Sequence, residues 1–219
     1  MSDQLILKFP KNNVYMREDF YVSSSNQEAY EFINSWPKWI KRIVNIFGPP
    51  GSGKTHLASI LKSKTSTLEI ESGVLNDKVF FAFKINEALI IENLNEEVSE
   101  NLLFSLWNVA LQDNKYLLIT STKPISTYKF KLPDLKSRAA SSVIIGINLP
   151  SDDLIGVILA KNFSDKQIRV EKKHIDYIIK RIDRSYEKIS QFISISDKYS
   201  LKKGNPFSLK LIKEVLKMI

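Results

Sequence analysis

The sequence contains no cysteine, and no apolar run approaches the roughly 18 residues that a helix needs to cross a bilayer. The first absence excludes disulfide bonds and thiolate metal sites, and it favours a reducing compartment. The opening residues, MSDQLILKFPKNN, are too few and too polar for a signal peptide. We therefore expect a cytoplasmic protein with no membrane partner.

The chain has few arginines and a surplus of lysine. It carries 26 Lys, 6 Arg and a net charge of +8 over 219 residues, and +6 of that charge lies in residues 151–219. A basic surplus is typical of a nucleic-acid-binding face. Here the basic residues are spread around predicted helices, so a lysine-rich composition explains the charge as well. Direct DNA binding by this region stays open.

The first two-thirds of the chain alternate short apolar segments with helical ones. This pattern predicts an α/β fold, a parallel sheet covered by helices. The segment 74–86 fits either a strand or a buried helix. Helices are predicted near 25–34, 54–63 and 97–112, and strands at Ile43–Phe47, Thr67–Ile70, Ala88–Ile91, Tyr116–Thr120 and Val143–Ile147.

The pattern changes at NLPSDD, after which no strand is predicted. Ser151 precedes two acidic residues, which indicates a helix N-cap. The segment KKGNP at 202–206 separates the last two helices. We predict an α/β domain over 13–149 and a small all-α lid over 150–219. Apolar residues with helical spacing in this part are Ile175, Ile178, Ile179, Ile182, Ile189, Phe192, Ile193, Ile212, Val215, Leu216 and Ile219.

The segment GPPGSGKT matches the phosphate-binding pattern G-x-x-x-x-G-K-[ST], with a strand before it and a helix after it. Its glycines allow a tight turn whose backbone N–H groups point at phosphate oxygens. Lys54 would neutralise the β- and γ-phosphates, and Thr55 would ligate Mg²⁺. The predicted nucleotide-binding residues of this loop are Gly48, Pro49, Pro50, Gly51, Ser52, Gly53, Lys54 and Thr55.

A second acidic motif is expected at ALIIEN, where a predicted strand ends at Glu92. We expect this strand to lie beside the loop strand, with Glu92 reaching Mg²⁺ through water. Asn93 occupies the place of the second acid. An amide orients water but cannot accept its proton at pH 7. The prediction is tight nucleotide binding with slow hydrolysis, with Glu96 and Glu97 as candidate substitutes for the missing acid.

Nearly the whole chain resembles DnaA-family AAA+ proteins, and within them the short Hda-type regulatory inactivators. REDFYVSSSNQEAYEFINSWPKW resembles the segment that covers the adenine, and GPPGSGKTHL the phosphate loop. LLITSTKPI is similar to the sensor 1 strand, LPDLKSRAAS to the arginine-finger box, IKRIDRSYEKI to the sensor 2 helix and NPFSLKLIKEVL to the closing helix. The weakened acidic pair in IENLN fits the inactivators better than the initiator.

The resemblance implies further nucleotide contacts. Phe20 and Val22 would cover the base, and His56 would complete the loop motif. Arg184 would reach from the lid to the phosphates. Thr122 stands where many relatives carry an aspartate, which alters sensor 1.

The resemblance also implies a catalytic role for Arg138 in trans, as a finger inserted into a neighbour's active site. A guanidinium there stabilises the transferring phosphoryl group. The aromatic-Gly sequence that often follows the finger is absent, because AASS stands in its place. A surface arginine that caps a helix is the alternative. For Arg184 the alternative is an ion pair with Asp183 or Glu187.

Residues 1–12 resemble the peptide with which these proteins bind the sliding clamp, the beta subunit of DNA polymerase III. Gln4 would hydrogen-bond at the pocket rim while Leu5, Leu7 and Phe9 fill an apolar groove. The same residues also fit a first β-strand.

The resemblance implies a nucleotide-bound adaptor, with ADP or ATP and Mg²⁺ as cofactors. Tethered to the clamp on DNA, it would stimulate ATP hydrolysis by DnaA and so prevent re-initiation, which would place it at the replisome. Its own ATPase activity would be weak or absent. An active AAA+ ATPase such as a helicase loader, and a DNA-recruited scaffold of the DnaA family, are the alternatives. The sequence leaves ADP against ATP and homo-oligomer formation open.

Overall fold

A computed structural model describes residues 20–203 and 207–219 of the chain. The predicted clamp-binding residues Gln4, Leu5, Leu7 and Phe9, and the segment 1–12 around them, lie outside these ranges, so their role stays a prediction. Within the described residues, no helix is both long and apolar enough to cross a membrane.

The α/β part contains five strands and five α-helices. In chain order these are α1 (Gln27–Asn34), β1 (Ile43–Phe47), α2 (Lys54–Lys62), β2 (Thr67–Glu71), α3 (Lys78–Ile85), β3 (Ala88–Leu94), α4 (Glu100–Gln112), β4 (Tyr116–Ser121), α5 (Pro133–Ser141) and β5 (Val143–Gly146). Short 3₁₀ turns occupy Ser72–Val74 and Ile125–Thr127. All five predicted strands are confirmed within a few residues, and the ambiguous segment 74–86 contains helix α3.

The sheet is fully parallel, with strand order β2-β3-β4-β1-β5. The expectation that β3 lies beside β1 is therefore wrong, because β4 lies between them. Both strands still end at the same edge of the sheet, since carboxyl ends of parallel strands share an edge. Polar residues at the ends of β3 and β4 and in the loop after β1 can therefore meet at this edge, although β4 separates β3 from β1.

Two apolar layers cover the sheet, as the alternation of strand side chains requires. Leu89 and Ile91 of β3 belong to the layer formed with α3, α4 and α5. Ile90 belongs to the opposite layer, formed with α1 and α2. Near-continuous apolar strands such as ALII are typical of parallel strands buried on both faces.

The lid consists of α6 (Asp152–Asp165), α7 (Lys172–Ile179), α8 (Tyr186–Lys203) and α9 (Leu209–Leu216). The predicted N-cap is confirmed: the Ser151 side chain accepts a hydrogen bond from the backbone N–H of Leu154. The apolar stripes of the four helices pack into one core of their own around Phe163, Phe192 and Ile212. The lid can therefore form a hydrophobic core without the sheet.

Candidate nucleotide-binding site

The loop between β1 and α2 has the backbone of a phosphate-binding loop. Gly51 and Gly53 have φ angles of 78° and 93°, a left-handed region that side chains with a Cβ rarely adopt. At Gly48 a Cβ would lie 2.8 Å from the backbone oxygen of Ile147, so glycine is required there for close approach to the strand-β5 segment. Gly53 is the N-cap of α2, so the N-terminus of this helix lies directly at the loop.

Lys54 is buried at the centre of this loop. Its Nζ donates to the backbone oxygens of Gly48 and Pro49, each at 2.9 Å. Burial lowers the pKa of Lys54, and the opposing attraction of Glu92 is smaller. A phosphate group in the loop would offer the buried ammonium the anionic partner that two neutral carbonyls do not provide.

Glu92 and Thr55 face each other across this edge of the sheet. Glu92 is 2% exposed, and its Oε2 accepts hydrogen bonds from Thr55 Oγ1 at 3.2 Å and Thr120 Oγ1 at 2.6 Å. Its other oxygen, Oε1, is buried without a hydrogen-bond partner among the described residues. Burial raises the pKa of Glu92 above its ordinary value, and the two hydroxyl hydrogen bonds oppose this shift.

These oxygens fit a magnesium ion. Mg²⁺ prefers hard oxygen ligands and is commonly held by one or two carboxylates, water and substrate phosphates. Thr55 Oγ1 and the unpartnered Glu92 Oε1 would provide the protein side of such a site, directly or through water. The ion would also compensate the buried negative charge.

Asn93 has an unusual and well-fixed backbone. Its φ of 54° is left-handed, and the register between β3 and β4 shifts at this point. The backbone N–H donates to Thr120 Oγ1 at 2.9 Å, and the backbone oxygen accepts from Ser72 Oγ at 2.8 Å. Its side-chain nitrogen donates to the Glu71 carboxylate. The expected second acid is therefore an amide held from both neighbouring strands.

A cavity of about 440 Å³ lies in front of the loop. The phosphate loop, the start of α2 and Asn93, the residue in the second acidic position, all line it, so a molecule bound there could contact all of them. Its lining residues are Pro50, Gly51, Gly53, Lys54, Thr55, His56 and Asn93.

The two residues predicted to cover the base, Phe20 and Val22, differ in their contacts. Phe20 lies against the loop, because a Cβ on Gly53 would meet its ring at 3.0 Å. The Phe20 ring also stacks on Tyr30 at 5.5 Å and meets the edge of His56 at 5.2 Å. Val22, two residues further along the chain, is half-buried.

Thr122 is exposed beyond the end of β4. The polar contact to Glu92 comes instead from Thr120, a buried residue two positions earlier that the sequence interpretation missed. Its location at the carboxyl end of a predicted strand was the available signal.

The lid contacts the loop through Tyr186, a second residue that the sequence interpretation missed. A Cβ on Gly51 would lie 3.1 Å from Tyr186 Cβ, and Tyr186 Oη donates to the backbone oxygen of Asn148 at 3.3 Å. A cleft of about 290 Å³ separates the loop from lid helices α6 and α8 at this place. Its lining is Gly51, Ile158, Asn162, Tyr186, Ile189, Ser190 and Ile193.

The two predicted functional arginines both contact residues of their own chain. Arg184 is exposed and forms an ion pair with Asp152 at 3.0 Å, rather than with Asp183 or Glu187. Arg138 is half-buried on α5. Its guanidinium donates to Asn108 Oδ1 and lies 4.6 Å from the centre of the Phe104 ring, both on α4.

Comparison with known proteins finds similarity to the replication initiator DnaA. No protein-family profile matches the chain. In sequence it is 25% identical over 194 residues to the chromosomal replication initiator protein DnaA of Borrelia duttonii, which covers 77% of this chain and 40% of that protein. It is also 23% identical over 186 residues to an uncharacterized protein of Haemophilus influenzae, covering 79% and 80%. The chain thus spans less than half the length of the initiator.

The fold is similar to that of solved DnaA structures. Domain III of DnaA from Thermotoga maritima superposes with a TM-score of 0.78 and 18% identity, covering 96% of this chain and 98% of that one. AMPPCP-bound DnaA from Aquifex aeolicus gives a TM-score of 0.73 and 18% identity, covering 93% and 70%. The chain therefore has the P-loop AAA+ fold followed by a helical lid, and it is DnaA-like in sequence and architecture.

Proposed function

We propose that this chain binds an adenine nucleotide, ADP or ATP, together with Mg²⁺, and uses the bound state to act on a DnaA-type replication initiator. The observation that carries the nucleotide site is the loop with left-handed Gly51 and Gly53 around the buried Lys54. The unpartnered Oε1 of Glu92 beside Thr55 supports the metal. The similarity to AMPPCP-bound DnaA supports adenine as the base.

Slow hydrolysis by the chain itself follows from Asn93. In its place a carboxylate would accept the proton of the attacking water, and an amide cannot do so. Glu96, one of the candidate substitutes, forms an ion pair with Lys123 at 2.6 Å. That contact keeps its carboxylate occupied at the surface.

The proposed target is ATP bound to DnaA. Arg138 would complete the initiator's active site as an arginine finger, and such residues raise hydrolysis rates by about 10³ to 10⁵ in other nucleotide hydrolases. In the described structure Arg138 is held by Asn108 and Phe104. We propose that docking on the initiator draws the guanidinium away from these partners. The hydrogen bond to Asn108 and the contact with Phe104 would then act as its resting position.

Residues Gln4 to Phe9 would tether the chain to the sliding clamp and raise its effective concentration near DNA-bound initiator. Two other functions remain. An active AAA+ ATPase such as a helicase loader would show fast intrinsic turnover despite Asn93, well above the slow rate expected of an amide in that position. A DNA-recruited scaffold would bind through the basic lid with the steep salt dependence of phosphate contacts.

The experiment that tests the proposal measures phosphate release from cognate DnaA preloaded with labelled ATP. DNA-loaded clamp is present throughout, and the chain is added or left out. We expect acceleration that requires both the chain and the clamp. Acceleration without the clamp would remove the tethering role. No acceleration, with clamp binding demonstrated, would contradict the action on DnaA and leave a nucleotide-binding adaptor.

A further inference from the structure

The pair formed by Asn93 and Glu71 is not explained by nucleotide binding alone. Glu71 is the last residue of β2, and the strand register places it opposite Glu92, the neighbour of Asn93. Asn93 Nδ2 lies 3.2 Å from Oε1 and 3.1 Å from Oε2 of Glu71. Both carboxylate oxygens thus share one amide donor, while the backbone of Asn93 is fixed by Ser72 and Thr120.

This contact determines which way the amide of Asn93 faces. An ionised carboxylate only accepts hydrogen bonds, so the nitrogen of the amide must be the atom that faces Glu71. The oxygen Oδ1 then occupies the opposite edge of the amide group. Asn93 also lines the cavity in front of the phosphate loop, together with Lys54 and Thr55.

We propose that Asn93 is the water-orienting residue of a slow ATPase and that Glu71 is its positioning residue. The inference rests on the proposed nucleotide binding. Oδ1 of Asn93 accepts a hydrogen bond from a water molecule beside the γ-phosphate. Glu71 keeps the amide in this orientation and, by accepting from its nitrogen, makes the oxygen a stronger acceptor. An amide fulfils this water-orienting role in other nucleotide hydrolases.

The chemical step is ordinary hydrolysis of the terminal phosphoryl group. The water oxygen forms a bond to the γ-phosphorus, and the bond from that phosphorus to the β,γ-bridging oxygen breaks, leaving its electron pair on ADP. The water proton passes to a γ-phosphate oxygen and leaves with inorganic phosphate, because the amide cannot take it. The absence of a base at Asn93 keeps the rate low, and the orientation keeps it above zero.

Single-turnover hydrolysis of labelled ATP, with protein and Mg²⁺ in excess, tests this pair directly. Nucleotide affinity is measured in parallel for every variant. We expect N93A and E71A each to lower the rate constant by about tenfold or more, with affinity changed less than about twofold, because misplaced water is costly to the reaction. E71Q retains an acceptor oxygen and should keep a rate within about threefold of wild type.

The swapped variant E71Q/N93D is the sharpest comparison. It moves the carboxylate to the cavity and the amide to β2, and it should raise the rate by about tenfold or more, because a base now faces the water. Equal rates for wild type and E71A would overturn the role of Glu71. So would a loss of nucleotide affinity in E71A that matches its loss of rate, since Glu71 would then be structural.

The wild-type rate separates this inference from the proposed function. Tight nucleotide binding with no hydrolysis above the spontaneous rate would overturn the water-orienting role and leave the nucleotide site intact. Absence of nucleotide binding would contradict the proposed function itself.

Discussion

The phosphate side of the site and its arginine side differ in how their residues are held. Lys54 and Thr55 already line one cavity, where Lys54 contacts the loop backbone and Thr55 donates a hydrogen bond to the buried Glu92. Arg138 and Arg184 instead contact Asn108 and Asp152 of their own chain. A buried group is costly to leave unpaired, so the phosphate side must be built with the fold. The exposed Arg184 can exchange partners at little cost, and the half-buried Arg138 keeps part of its side chain at the surface.

The largest effect is expected from Arg138→Ala, which tests whether the arginine side acts in trans. Clamp-dependent stimulation of ATP hydrolysis by DnaA should fall by about 10³-fold, because the transition-state charge loses its guanidinium. The assay is release of labelled phosphate from preloaded DnaA.

Arg169→Ala is the matched control for this change, because it removes the same charge from an exposed position in the lid. It should leave stimulation unchanged. Nucleotide and clamp affinities should stay at wild-type values in both variants. If Arg138→Ala also loses clamp binding, the two roles are not separate and the assignment fails.

Lys54→Ala tests whether the phosphate side carries the binding. Removing the only buried ammonium found among the described residues of the loop should weaken ATP and ADP affinity by about 100-fold. Equilibrium titration with a fluorescent nucleotide would measure this change. Exposed Lys62 at the end of α2 provides the control, since Lys62→Ala should bind normally. Unchanged affinity in Lys54→Ala would place the nucleotide elsewhere.

Glu92→Gln should separate metal binding from stability. We expect the gain in nucleotide affinity that Mg²⁺ provides to fall by about tenfold, because a neutral amide is a poorer ligand than a carboxylate. The nucleotide-free protein should become more stable, since a buried charge is removed. Titrations with and without EDTA measure the first effect, and thermal unfolding the second. A less stable variant would contradict the cost assigned to the buried carboxylate.

The stability difference between wild type and Glu92→Gln should depend on pH, and the pKa shift of Glu92 fixes the direction. The folded-state pKa of Glu92 lies above the ordinary 4.5, so the carboxyl is protonated more readily in the folded chain. Wild type should therefore gain stability relative to Glu92→Gln as pH falls through that raised pKa toward 4.5. Denaturant unfolding of both proteins at several pH values measures the difference. A gap that widens on acidification would contradict the direction of the shift.

The smallest effect is expected from Asp152→Ala, which releases Arg184. The ion pair is exposed, with 63% and 52% of the two side chains accessible, so its loss should hardly alter stability. A freed Arg184 should increase nucleotide affinity by about threefold if it reaches the phosphates. Asp153→Ala removes the same charge from the neighbouring position and serves as the control. Lower affinity in Asp152→Ala alone would show that the pair itself supports the site.

Local features of this chain could be predicted from sequence, and contacts between distant segments could not. The phosphate loop, the five strands and the Ser151 cap each depend on a few consecutive residues. The insertion of β4 between β1 and β3 depends on how separate strands pair, so the expectation that β3 lies beside β1 was wrong. Thr120 and Glu71 were missed for the same reason, since each contacts β3 only through the sheet.

The helix α3 shows the limit in another way. KVFFAF contains apolar residues on all sides, so its period fits neither a strand nor a one-faced helix. The structure buries Phe83 fully and leaves Phe81 80% exposed. Only the packing against the sheet decides which phenylalanine faces inward.

The most direct test of the nucleotide site is titration of the folded wild-type chain with ATP and with ADP, in Mg²⁺ and in EDTA. A cooperative thermal unfolding transition confirms the fold beforehand. We predict saturable binding with a Kd of about 1 μM or tighter, or −8 kcal/mol or stronger, and weaker binding of ATP without the metal. A folded chain that binds neither nucleotide would contradict the central claim that this loop is a working phosphate site.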